Sequence, residues 1–69
     1  MKYTINGKEA TRSEVQKHLE AELKAAENSP HFMGRIFYKL DCIEHFAKKY
    51  MTEQATTTFN YFELQIIAE

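Results

Sequence analysis

The first residues alternate polar and apolar through Lys2-Tyr3-Thr4-Ile5 and run into Asn6-Gly7, followed by Lys8-Glu9-Ala10. Alternation with a period of two marks a half-buried strand, and Asn-Gly tolerates the positive φ that a two-residue type I′ turn requires. A short N-terminal β-hairpin is predicted. The pattern then changes period. Thr11 and Glu14 have capping-box spacing, with Ser13 and Gln16 offering a second register, and from Ser13 to Asn28 the apolar positions Val15, Leu19, Leu23 and Ala26 recur every three or four residues. That stripe predicts a helix with one narrow buried face.

Asn28-Ser29-Pro30 interrupts the stripe. A residue before proline resists the α conformation, while Ser as N-cap and Pro at the first helical position favour a new start. A second helix is predicted from Pro30 to Met51, since Phe32, Ile36, Leu40, Ile43, Ala47 and Tyr50 keep one helical seam, widened by Met33, Phe37 and Phe46. A competing reading makes residues 34–40 a strand, because Gly34-Arg35-Ile36-Phe37-Tyr38-Lys39-Leu40 is rich in aromatic and β-branched residues, and leaves Asp41 to cap a shorter helix. Thr52 to Ala55 reads as a connector. Ala55 to Ile67 is dense in strand formers, with Phe62, Leu64 and Ile66 on one face and Asn60 as the place for a bend. The expected architecture is α+β, in the order ββααβ: an N-terminal hairpin, two helices, and a C-terminal strand or hairpin completing a small antiparallel sheet. No repeat, linker or low-complexity stretch divides residues 1–69, so one domain is expected.

The chain's 69 residues limit how much surface it can bury, and its single cysteine, Cys42, excludes an intramolecular disulfide. Both point to a reducing, cytoplasmic setting and to self-association as a homodimer or higher homo-oligomer. No segment has the length and apolarity of a signal peptide or membrane span, so no membrane partner is expected. Nine Lys plus Arg against ten Asp plus Glu give a net charge of −1, which supplies neither the basic field of a general nucleic-acid binder nor the acidic excess of a DNA mimic.

Catalytic patterns are sparse. Gly7 and Gly34 are the only glycines, so no phosphate-binding loop or dinucleotide fingerprint can be built. Cys42 and His45 are three apart and would fall on adjoining turns of a helix, but four metal ligands at recognisable spacing are lacking, and His18 and His31 are isolated in sequence. No enzyme, no cofactor and no metal are expected. Two surface readings remain. The seams of the second helix carry more apolar area than the first helix needs, which makes Phe32, Met33, Ile36, Phe37, Leu40 and Tyr50 candidates for a protein interface, unless a sheet covers the second seam within the monomer. Arg35, Lys39, Lys48 and Lys49, with Tyr38 and Tyr50 interleaved, form an alternative basic-aromatic strip for binding a nucleotide or nucleic acid, diluted by Glu44 and Glu53.

The opening MKYTINGKEATRSEVQKHLEAEL resembles the short accessory proteins of phages and prophages of Gram-positive bacteria, in which a strand, an Asn-Gly turn and a second strand lead directly into a capped helix. The likeness spans about a third of the chain. It implies a phage early-gene product acting in the host cytoplasm by binding a bacterial host protein, including the class of inhibitors that block anti-phage defence.

Overall fold

A computed structural model describes all of residues 1–69, with the elements β1 (Lys2–Ile5), β2 (Lys8–Ala10), α1 (Arg12–Ala26), a 3-10 helix (Arg35–Tyr38), α2 (Leu40–Glu53), β3 (Thr58–Tyr61) and β4 (Leu64–Ile67). The strands form one antiparallel sheet in the order β2-β1-β4-β3. Two hairpins therefore meet side by side, and the α+β architecture expected from the sequence is present with the C-terminal segment as a hairpin.

The local signals at the N-terminal end act as their chemistry demands. Asn6 and Gly7 both have positive φ, 54° and 82°, as a type I′ turn requires. At the start of α1 the Thr11 hydroxyl accepts the Glu14 N–H at 3.2 Å while the Glu14 carboxylate accepts the Thr11 N–H at 3.1 Å, a complete capping box. Register then places Tyr3 opposite Ile66 and Ile5 opposite Leu64, so one face of the sheet is apolar and both helices pack on it. Val15 and Leu19 of α1, Leu40, Ile43, Ala47 and Met51 of α2, and Tyr3, Leu64 and Ile66 of the sheet make up the buried core. The other sheet face carries polar pairs: Thr4 Oγ1 donates to Gln65 Oε1 at 3.0 Å across β1 and β4.

The predicted single helix from Pro30 to Met51 does not form, and neither does the strand over residues 34–40. Gly34 has φ 112° and ψ 157°, a backbone conformation open to glycine alone and incompatible with a helix, and Lys39 is extended at φ −88° and ψ 121°. Between them lies a single 3-10 helix. Pro30 starts nothing: the Ser29 hydroxyl accepts the His31 N–H at 3.2 Å and the Ser29 carbonyl accepts the Phe32 N–H, closing a local turn. Asp41 does not cap α2, whose N-cap is Lys39 with no side-chain cap; Asp41 stands in the first turn, where its charge suits the helix dipole.

The C-terminal segment bends two residues later than Asn60 suggests. The turn falls at Phe62 and Glu63, with Phe62 at φ 53°, so Phe62 leaves the face that Leu64 and Ile66 share. A bulky residue in the left-handed region is strained. Aromatic contacts offset that strain: the Phe62 ring stacks on Tyr38 at 5.5 Å and meets Tyr61 edge to face at 4.7 Å, and Tyr38 in turn stacks on Phe32 at 6.1 Å. A second left-handed residue, Ala55 at φ 52°, ends α2, and the Thr56 N–H reaches back to the Met51 carbonyl at 3.1 Å in the Schellman pattern.

These two backbone positions generate opposite expectations. A Cβ on Gly34 would meet nothing within 4 Å, so Gly34→Ala carries only the backbone cost and should lose about 1–3 kcal/mol in urea unfolding. Ala55→Gly relieves the left-handed cap and should gain up to about 1 kcal/mol by the same measurement.

Candidate functional site: an aromatic groove beside a free strand edge

α2 presents two faces. Leu40, Ile43, Ala47 and Met51 enter the core, while Cys42, Phe46, Lys49, Tyr50 and Glu53 occupy the adjoining face. Opposite this second face stand Ile36 and Phe37 of the 3-10 helix and Phe59 and Tyr61 of β3. Together they enclose an open groove of about 370 Å³, apolar except for Lys49 and Glu53. Its walls are held by aromatic contacts. Tyr50 and Phe59 meet edge to face at 5.6 Å, and Phe59 stacks on Tyr61 at 6.4 Å. The Tyr61 hydroxyl donates to the Phe37 carbonyl, which fixes the 3-10 helix against the sheet. Burial, followed by the nearby Tyr38, pushes the Tyr61 phenol pKa up, so the hydroxyl stays a donor at neutral pH.

Ile36, Phe46 and Tyr50 remain 55%, 56% and 46% exposed although they flank the groove. Their exposure is contiguous with β3, which has β4 as its only neighbour and is an edge of the sheet. In the β3–β4 ladder the two-residue turn makes Tyr61 and Leu64 a hydrogen-bonded pair, so Asn60 turns its main-chain N–H and C=O outward. The preceding part of the edge is blunted: Thr56 Oγ1 accepts the Thr58 N–H at 3.4 Å and donates to the Thr58 carbonyl at 3.2 Å.

Of the residues that the sequence offers as an interface, Ile36, Phe37 and Tyr50 line this groove. Leu40 is 1% exposed and belongs to the core, so the folded monomer does not offer it to a partner. Phe32 is half-buried against Tyr38, and Met33 is 65% exposed outside the groove lining. Phe59 and Tyr61 complete the site and were not singled out by sequence, because they reach it only when the C-terminal hairpin folds back beside α2. The residues of the basic-aromatic strip are dispersed over two elements and a linker. Tyr38 is buried between Phe32 and Phe62, Arg35 pairs with Glu27 at 2.8 Å, and Lys39, Lys48 and Lys49 are exposed. Cys42 is half-buried in the groove wall, whereas the His45 ring is exposed and edge-on to Phe46.

The densest polar cluster lies elsewhere and joins three elements. Arg12 at the start of α1 reaches Asp41 at 2.7 Å and Glu44 at 2.8 Å on α2, and the Tyr3 hydroxyl of β1 donates to the second Glu44 oxygen. Burial raises the Tyr3 pKa, and the hydrogen bond and charge of Glu44 raise it further. Burial acts to raise the Glu44 pKa as well, but hydrogen bonds from Arg12 and Tyr3 and the charges of Arg12 and Lys48 outweigh it and hold the carboxyl below its ordinary range. Both Glu44 oxygens are engaged from other elements, one by Arg12 and one by Tyr3, which is the arrangement of a structural clasp.

The chain matches no protein-family model, no curated protein and no solved structure. No helix is long and apolar enough to cross a membrane.

The clasp sets a pH dependence. Because the folded-state pKa of Glu44 lies below its ordinary value of 4.5, its contribution is complete above that value and is lost as pH falls through the depressed one. Stability measured by urea unfolding should therefore decline as pH drops below about 4.5, and Glu44→Gln should be less stable at pH 7 with a flatter acid limb.

Proposed function

We propose that this chain is a non-catalytic protein-binding module that docks a β-strand of its partner onto the β3 edge. A fifth strand there would continue the sheet beneath Phe46 and Tyr50, pairing with the main chain of Asn60 and placing alternate side chains in the groove. The observation that carries this reading is the coincidence of a strand edge open at Asn60 with contiguous exposed aromatic surface. Aromatic anchors in a partly enclosed apolar site are the usual source of binding energy in such contacts, and flanking charges such as Lys49 and Glu53 supply the polar rim.

The likeness of the first third of the chain to phage and prophage accessory proteins supports a narrower version, in which the partner is a bacterial host protein, such as a component of anti-phage defence, met in the host cytoplasm. Self-association is the same geometry with a second copy as the partner. The alternative of a nucleotide or nucleic-acid binder has less support, since Tyr38 has no free ring face for stacking and Arg35 is already paired, which leaves Tyr50 and the three exposed lysines to carry it.

The test is a comparison of wild type with Phe46→Asp, whose side chain is exposed and whose replacement should leave circular dichroism and the unfolding midpoint nearly unchanged. A partner recovered from a Gram-positive lysate, or a dimer seen by sedimentation, should be lost in the variant, by at least about tenfold in affinity for a central anchor. A wild-type protein that stays monomeric and captures the same proteins as Phe46→Asp would refute the reading.

A further inference from the structure

One buried side-chain nitrogen or oxygen in the fold has no hydrogen-bond partner: Nε2 of His18. Buried polar atoms are nearly always paired, so the surroundings of this one bear on what it is for. His18 lies on the flank of α1, and Nε2 faces the carboxylate of Glu63 in the β3–β4 turn at 4.0 Å, too far for a hydrogen bond. Glu22, one helical turn after His18, directs its carboxylate to the same point. One ligand atom from each of the three residues lies within 4.8 Å of the other two.

We infer that His18, Glu22 and Glu63 form a site for a divalent transition-metal ion of the zinc type, with a fourth position left to water. Metal bonds of 2.0–2.2 Å in a tetrahedron separate ligand atoms by about 3.3–3.6 Å, so closure needs a contraction of roughly 1 Å. Glu63 is 58% exposed and free to supply it, while the His18 side chain, at 17% exposed, is the fixed member. Two carboxylates and a neutral imidazole balance the charge of a divalent ion. The imidazole nitrogen selects zinc, cobalt or nickel over magnesium and calcium, which take oxygen ligands. The spacing is that of a helical pair, four residues apart on one face, completed by a ligand from a distant turn.

The ion would join the middle of α1 to the tip of the C-terminal hairpin. That tip is held from the other side as well, since the Glu63 carbonyl accepts the Asn6 N–H at 3.0 Å, and it carries the strained Phe62. Metal binding would therefore stabilise the folded state, with the logarithm of the free metal concentration once that exceeds the dissociation constant.

The chain of residues 1–69, stripped with EDTA, is titrated with zinc chloride by calorimetry and with cobalt chloride by visible absorption. Saturable one-to-one binding is expected, with a rise in unfolding temperature on adding zinc and cobalt bands lacking the charge-transfer absorption of a thiolate. Loss of an outer-shell group usually weakens a metal site 10–100-fold, so loss of a ligand in Glu22→Gln or Glu63→Gln should weaken binding by at least about tenfold. Neither of these carboxylates is in the core, so both variants should fold. The double variant Cys42→Ser with His45→Ala should bind as wild type does. Absence of saturable binding, binding untouched by both glutamine variants, or binding abolished in the Cys42 and His45 double variant would each overturn the site.

Discussion

The pairing of β1 with β4 is the contact on which the rest of the molecule depends. It joins the two ends of the fold, Lys2 opposite Ile67 through Ile5 opposite Leu64. Without it the chain has two isolated hairpins, each too small to be stable in water. With it there is a four-stranded surface whose inner face brings Tyr3, Leu64 and Ile66 against both helices. The same pairing assigns the remaining strands their places. β2 and β3 become the edges, and β3 comes to lie beside the second face of α2, where the groove forms.

The aromatic residues divide according to that arrangement. Tyr3 enters the core, Phe32, Tyr38 and Phe62 form a stack at the hairpin tip, and Phe37, Phe46, Tyr50, Phe59 and Tyr61 line the groove. A chain of this size has too little interior to absorb them all. The sequence left open whether the second seam of α2 is covered by the sheet or free for a partner, and the fold does some of each: Phe59 and Tyr61 cover part of the seam, while the sheet ends at β3 and leaves Phe46 and Tyr50 standing beyond it.

Legibility in the sequence followed the range of the interactions responsible. The I′ turn at Asn6-Gly7 and the capping box at Thr11 and Glu14 are local chemistry, and both were readable. The break at Gly34 was hidden because the apolar spacing of Phe32, Ile36, Leu40 and Ile43 is compatible with one helix, and a single glycine inside such a pattern is ambiguous. The turn at Phe62 was hidden for a different reason. It places an aromatic residue where glycine or asparagine is usual, and what holds it there is a stack on Tyr38, remote in sequence. The groove was half visible, through α2 and the 3-10 helix, because its other wall arrives with β3. His18 is isolated along the sequence because Glu63 reaches it only through tertiary structure.

The central position of β4 also governs how the fold comes into being during synthesis. At roughly 5–20 residues per second, about 3–12 s separate the translation of Ile5 from that of Leu64, the residue it must pair with. During that interval β1 has only β2 for company, and the apolar faces of both helices have no sheet to lie on. A helix such as α1 is marginal by itself at its length. Until β4 has been made the nascent chain has no sheet on which to bury its future core, and closure is a late event that waits for Leu64 to Ile67 to clear the ribosome.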